Sequence, residues 1–138
     1  MEIKLKNLSG ASSLEIAKGA AKVLLANKGL DVAILSVSEV TVITDYYVIA
    51  TARSATHINS LSGELLDKLA EAGIHASHVE GRDGGEWLLL DFDHVIVHVF
   101  GREARSFYNI ERLGGTGIDI SEIEKQLDLE LSATVSEQ

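Results

Sequence analysis

The chain contains no cysteine and no proline among its 138 residues. Without cysteine there is no disulfide, no thiolate nucleophile and no sulfur-ligated metal. Without proline, the boundaries of helices and strands depend on glycine and on capping residues. Aromatic residues make up only 5% of the chain, and Trp87 is the single tryptophan. A lone tryptophan in a strand is usually part of a core, but the residue is also enriched at the energetic centres of interfaces.

Long apolar runs and positive charge are also scarce. No apolar stretch approaches the ~20 residues that span a bilayer, and residues 1–10 lack the apolar segment of a secretory signal. We therefore expect a cytoplasmic bacterial protein that is not inserted in a membrane. The chain has 12 Lys and Arg residues and 21 Asp and Glu residues, which gives a net charge of -9. Such a charge disfavours binding to DNA and favours a basic protein partner.

The length predicts one domain, and 46% apolar residues are enough for one core. Capping boxes begin at Ser12 and Ser121, and Ser54 is a further helix-capping residue. Alternating apolar patterns predict an α/β fold, a mixed β-sheet with helices packed against it. The predicted helices run from Ser12 to Asn27, from Ser54 to Gly73, from Arg102 to Leu113 and from Glu122 to about Leu131; the predicted strands are Leu30–Val37, Val40–Ile43, Tyr46–Thr51, Ser77–Val79, Glu86–Phe92 and Val95–Phe100.

The glycine runs and the C-terminus are predicted to lie outside these elements. Residues 81–85 are expected to form a turn, and residues 114–117 a flexible hinge, because they follow a helix and lack the lysine of a phosphate-binding loop. Residues 132–138 are expected to fray.

Strand alternation makes a specific prediction around Trp87. Trp87, Leu89 and Asp91 share one face of their strand, while Leu88 and Leu90 share the other. If Leu88 and Leu90 point into the core, Trp87 and Leu89 point outward and form an apolar patch with an acidic rim. Such a patch suits a basic protein surface.

Two further segments contribute candidate residues to this patch. His98 is expected to be an oriented polar residue at the sheet surface. Tyr108 and Glu111 lie three apart on the predicted helix 102–113, where they extend the patch or hold the helix against the hairpin. In the same helix Phe107, Ile110 and Ala104 are expected to turn inward.

A series of landmarks runs through the chain: Asp45 to Thr51, Ser54, Glu80-Gly81, Trp87, Asp91, Val97-His98-Val99, Tyr108 and Glu111. Their order resembles the Iojap family of ribosomal silencing factors over about residues 14–113. Two positions depart from the family pattern, since Ala52 stands where a glycine is usual and Gly114 where an aromatic residue is usual.

The resemblance implies a nucleotidyltransferase-like fold without catalysis. It also implies that the protein binds the large ribosomal subunit through ribosomal protein fourteen and sterically blocks subunit joining when nutrients are scarce, and that the free protein forms a homodimer. No cofactor or metal is expected. The silencing-factor domain is expected to cover residues 1–113, followed by the hinge, a short acidic helix and the tail at 114–138. The contact is expected to involve Trp87, Leu89, Asp91, His98, Tyr108 and Glu111.

Two other functions compete with this one. A magnesium-dependent nucleotidyltransferase-like enzyme would use Asp45, Asp91 and Asp93 as metal-binding carboxylates, although Asp93 and Ser54 have ordinary roles in a turn and as a helix cap. An adaptor for another basic protein would bind neither ribosomes nor nucleotides. Of the five histidines, His94 and His98 would lie roughly 13 Å apart along one strand, too far to share a metal ion.

Overall fold

The computed structural model describes residues 3–136, which form four α-helices and six β-strands. Two short 3₁₀ turns, Asp83–Gly85 and Ile110–Leu113, interrupt the second half of the chain. The helices are α1 (Ser13–Ala26), α2 (Ala55–Glu71), α3 (Arg102–Tyr108) and α4 (Ser121–Ser136); the strands are β1 (Leu30–Ser36), β2 (Tyr46–Thr51), β3 (His78–Arg82), β4 (Trp87–Asp91), β5 (Val95–Phe100) and β6 (Thr116–Ile118).

The six strands form one mixed sheet in the order β3-β4-β5-β2-β1-β6. Strands β2 and β5 pair in parallel, and the other four neighbouring pairs are antiparallel. The predicted hairpin is present as β4 and β5, with Leu89 opposite His98. Helix α2 lies in the connection that brings the chain from β2 towards the β3–β5 meander. The prediction of a mixed α/β sheet is therefore confirmed.

The starts of α1 and α2 follow the capping residues in the sequence, whereas Ser121 lies inside α4 and its amide donates to Asp119. The Ser12 hydroxyl accepts a hydrogen bond from the Glu15 amide at 3.2 Å, and the Ser54 hydroxyl accepts one from the His57 amide at 3.1 Å. Helices α1 and α2 pack on the same face of the sheet and bury leucines such as Leu24 and Leu61. Each such side chain contributes roughly 1.5–3 kcal/mol to folding. The main core therefore lies on the helix-covered face.

The segment Val40–Ile43 is a turn, so the strand predicted there is wrong. Because β1 and β2 are antiparallel neighbours, the chain has to reverse between them, and this overrides the β-propensity of the valines. The reversal is closed by the Val37 amide, which donates to the Asp45 carbonyl at 2.8 Å. Val42 and Ile43 are 102% and 72% exposed.

The glycine run at 114–117 is not a hinge, because Thr116–Ile118 forms β6 along the edge of β1. Gly115 has a φ of +102°, and a Cβ there would lie 2.6 Å from the Ser36 carbonyl oxygen. The absence of a side chain thus permits the close approach that leads into strand pairing. Of the turn predicted over residues 81–85, only residues 83–85 turn, because β3 extends to Arg82.

The third predicted helix breaks earlier than its pattern indicates. Helix α3 ends at Tyr108 because Asn109 has a φ of +42° in the left-handed region, and a 3₁₀ turn follows. Helix α4, by contrast, runs to Ser136, beyond its predicted end at Leu131, and buries Ile123 and Leu127 against the α1 side. Of the predicted frayed tail, residues 137–138 lie outside the described residues. No helix in the described range is long and apolar enough to cross a membrane.

Candidate functional site

The sheet face opposite α1 and α2 carries a second, smaller cluster of apolar side chains. Leu88 and Leu90 pack into the main core, whereas Trp87 packs with Ile49, Phe100 and Ala104 on the opposite face. The face assigned to Trp87 by strand alternation is confirmed. We call this side of the sheet the aromatic face; its rings belong to Tyr47, Trp87, His98, Phe100 and, from α3, Tyr108.

Trp87 lies at the centre of the aromatic face and is 7% exposed. Its ring centroid is 4.8 Å from that of Phe100 and 4.6 Å from that of Tyr108. The expectation that an outward Trp87 would be solvent-accessible is therefore wrong, because α3 folds back and places Tyr108 against the indole. Tyr108 packs against Trp87 and so holds α3 against the hairpin, which is one of the two roles open to it, and it remains partly exposed.

His98 is 4% exposed, so it is buried rather than placed at the sheet surface. The Trp87 Nε1–H donates to His98 Nδ1 at 3.1 Å. Burial, and secondarily the positive charge of Arg82, lowers the pKa of His98 from 6.5 to about 4. The ring is consequently neutral near pH 7 and carries its proton on Nε2. Within residues 3–136, that Nε2 has no hydrogen-bond partner.

Arg105 fixes α3 and the following 3₁₀ turn on this face. Its guanidinium donates to the Asp31 carbonyl at 2.6 Å, to the Thr51 hydroxyl at 2.9 Å and to the Glu111 carboxylate at 3.1 Å. Glu111 is therefore held by an intramolecular ion pair. The Arg105 side chain is only 13% exposed, so these contacts are largely shielded from solvent. Together they determine where Tyr108 sits.

Leu89 and Asp91 lie beside this cluster and are partly accessible. Asp91 accepts a hydrogen bond from the Asp93 amide at 2.8 Å and so stabilises the turn between β4 and β5. Asp45 is separately engaged, since it accepts from the Ser13 hydroxyl at 2.9 Å. Among the described residues, no group of three His, Cys, Asp or Glu could hold a metal ion. The candidate magnesium ligands Asp45, Asp91 and Asp93 thus do not form a recognisable metal site.

The helical pattern predicts that Phe107 points inward, but its side chain is 81% exposed. Ala104 and Tyr108, one turn apart, occupy the inward side of α3 instead. The expected burial of Phe107 is wrong because α3 ends at Tyr108, one residue after Phe107, and the apolar stripe does not continue. Ile110, on the 3₁₀ turn, does pack against the cluster, as expected.

The fold and this site define a single-domain mixed α/β protein with an aromatic sheet face. A family described as ribosomal silencing factor during starvation matches residues 10–137. The chain is 37% identical over 101 residues to the ribosomal silencing factor RsfS of Chromobacterium violaceum, an alignment that covers 73% of this chain and 83% of that protein. It is 31% identical to the chloroplastic protein Iojap of Zea mays, covering 80% of this chain and 48% of that one.

A crystal structure of a Chromobacterium violaceum protein has the same fold. It superposes with a TM-score of 0.71 at 35% identity, over 74% of this chain and 85% of that one. The chain belongs to the Iojap family of ribosomal silencing factors. This family consists of regulatory factors rather than enzymes.

Proposed function

We propose that the chain binds the large ribosomal subunit through the aromatic face and thereby keeps the small subunit from joining, which lowers translation when nutrients are limiting. The observation that supports this function most directly is the incomplete cover of that face. Helices α1 and α2 protect one side of the sheet, whereas in the described part of the chain only α3, seven residues long, and one 3₁₀ turn lie over the other. Leu89 and Phe107 are left accessible there.

The proposed partner within the large subunit is its ribosomal protein fourteen. A basic ribosomal protein suits this chain, because its net charge is -9 and because Glu86, Asp83 and Glu103 are exposed near the aromatic face. Opposite charges accelerate encounter and favour one orientation of docking. Steric overlap alone would then prevent subunit joining, and no bond needs to be made or broken.

The six candidate residues divide into two groups, by burial and by whether an intramolecular ion pair already holds the side chain. We propose that Leu89, Asp91 and Tyr108 contact the partner directly, since each retains some exposure. Trp87 and His98 lie beneath them, and Glu111 is tied to Arg105. These three are proposed to shape the contact surface from below.

The same proposal concerns where the protein works, the oligomeric state of the unbound protein and the residues that form the functional unit. A factor that acts on ribosomes would work in the cytoplasm. When no ribosome is available, an accessible apolar face is expected to pair with a second copy, and concentration-dependent sedimentation would detect that homodimer. The elements of the aromatic face all lie within residues 1–113, which we retain as the silencing-factor unit, with 114–138 as an accessory segment.

The experiment is co-sedimentation of the purified chain with separated small and large subunits, at two salt concentrations. We expect pelleting with large subunits, weaker at the higher salt because exposed charges are screened, together with fewer reassociated ribosomes. The informative variant is Leu89→Lys, which places a positive charge on the aromatic face. Like charges across an interface cost several kcal/mol, so binding should fall by about tenfold or more.

The matched control is Val79→Lys, on the adjacent strand. Val79 pairs with Leu90 and therefore points to the helix-covered side of the sheet. It is 43% exposed, so a lysine is accommodated there. Equal binding by both variants would exclude the aromatic face as the contact. Absence of binding to large subunits by the unaltered chain at near-physiological salt would refute the proposed function itself.

A further inference from the structure

A small pocket opens beside α3 at the rim of the aromatic face, with a volume of about 260 Å³. Drug-sized ligands occupy pockets of roughly 300–1,000 Å³, so this one fits a single side chain better than a metabolite. It is lined by Asp83, Glu103, Ala104, Phe107 and Tyr108.

The walls of the pocket are aromatic. Phe107 is 81% exposed, and its ring meets that of Tyr108 edge to face, with the centroids 5.1 Å apart and the planes at 83°. The Tyr108 ring is in turn held against Trp87, which limits its motion. An exposed phenyl face next to a fixed ring is a surface on which a cation can be bound through the ring quadrupole.

The two carboxylates supply a negative charge at the same place. Glu103 and Phe107 are one turn apart on α3 and thus share a side of the helix. Asp83 begins the 3₁₀ turn after β3. Both carboxylates are exposed, and within residues 3–136 neither forms an ion pair. The pocket therefore offers acceptors for a cationic donor that the described part of the chain does not satisfy.

We propose that this pocket binds an arginine side chain of the partner protein. A guanidinium is planar, stacks on aromatic faces and presents a fork of donors that matches carboxylates, whereas the ammonium of lysine is a point charge. The same combination occurs within this chain: the guanidinium of Arg82 lies 5.2 Å from the centre of the Trp87 ring and pairs with Glu80. The proposal rests on the proposed function only for the identity of the partner that carries the arginine.

The pocket can be tested without any ribosome. The isolated chain is titrated with N-acetyl-arginine methylamide, and the ring protons of Phe107 and Tyr108 are followed by NMR. The citrulline analogue, which has the same shape without the charge, is the matched ligand. We expect concentration-dependent shifts with the arginine compound, little change with citrulline, and loss of the response in the double variant Asp83→Asn/Glu103→Gln. Equal responses to both compounds, or no response to arginine, would overturn the proposal.

The same double variant then tests the role of the pocket in binding large subunits. Charge pairing at exposed sites is modest for each carboxylate, so removing both should weaken binding by about tenfold, while the aromatic rings remain in place. Phe107→Leu, which keeps an apolar side chain and removes the ring, should weaken binding in the same direction. The control is Glu122→Gln/Glu124→Gln on α4, which removes two exposed carboxylates and so changes the net charge equally. The pocket would be refuted if the unaltered chain binds large subunits and the pocket variants bind them no more weakly than this control does. The proposed function would still stand in that case.

Discussion

Replacing Arg105 by methionine should destabilise the protein more than replacing either of the other charged residues of α3, Arg102 and Glu103. Methionine keeps the apolar stem that packs against the sheet but removes the guanidinium. That group makes hydrogen bonds to the Asp31 carbonyl, the Thr51 hydroxyl and the Glu111 carboxylate, at 2.6, 2.9 and 3.1 Å. No other side chain of α3 is shown linking it to β1, β2 and the 3₁₀ turn at once.

The expected loss can be worked from these contacts. A hydrogen bond contributes about 1 kcal/mol net, and those made by charged groups contribute somewhat more. The Glu111 side chain is 35% exposed, so its ion pair counts at the low end of that range because solvent screens it. Three contacts together then give a decrease of about 2 to 3 kcal/mol in the free energy of unfolding.

The assay is urea denaturation followed by far-ultraviolet circular dichroism and by the fluorescence of Trp87. Because Trp87 is the single tryptophan and lies against Tyr108, its emission reports directly on whether α3 remains in place. The control is Arg102→Met, an exposed arginine on the same helix, which should change stability by less than about 0.5 kcal/mol. A loss for Arg105→Met as small as that of the control would refute the reasoning.

Three further results are expected. Trp87→Ala should lower the free energy of unfolding by about 3 to 5 kcal/mol in urea titrations, because it leaves a cavity beneath Tyr108; a loss below ~1 kcal/mol would contradict this packing. Gly115→Ala should lower the thermal midpoint, since its Cβ would lie 2.6 Å from the Ser36 carbonyl oxygen at a φ of +102°, and an unchanged midpoint would argue against the β6 pairing. Burial lowers the pKa of His98 from 6.5 to about 4, so the unfolded state binds more protons between these values. Stability should accordingly decrease as pH falls through that window, by up to about 3 kcal/mol, and His98→Phe should remove this slope in denaturation series at several pH values.

The local features of the fold were predictable because they depend on neighbours in sequence. The serine caps of α1 and α2, the alternation along β4 and the hairpin with β5 involve interactions over a few residues, and each was predicted correctly. The continuous helix over 102–113 was not, since it depended on whether Asn109 would adopt the left-handed conformation. A single residue there redirects the chain and turns Phe107 to solvent.

The candidate site was predictable as a set of residues but not as a surface. Strand periodicity placed Trp87 and Leu89 on the face away from the main core, and this was correct. It carried no information on what would cover that face. The contact of Tyr108 with Trp87 joins residues 21 positions apart in sequence, and the ties of Arg105 to Asp31 and Thr51 span 74 and 54 positions.

The class of fold, the main helices and strands, the acidic character and the family could all be predicted from the sequence, because they depend on composition, on periodicity and on the order of landmarks. The tertiary structure alone decided which side chains are accessible. It buried Trp87 and His98, bound Glu111 to Arg105 and exposed Phe107 beside two carboxylates that form no ion pair with any described residue. Accessibility depends on long-range packing of α3 against the sheet, and no local pattern encodes the position of a short helix that is held by Arg105 and by the packing of Ala104 and Tyr108.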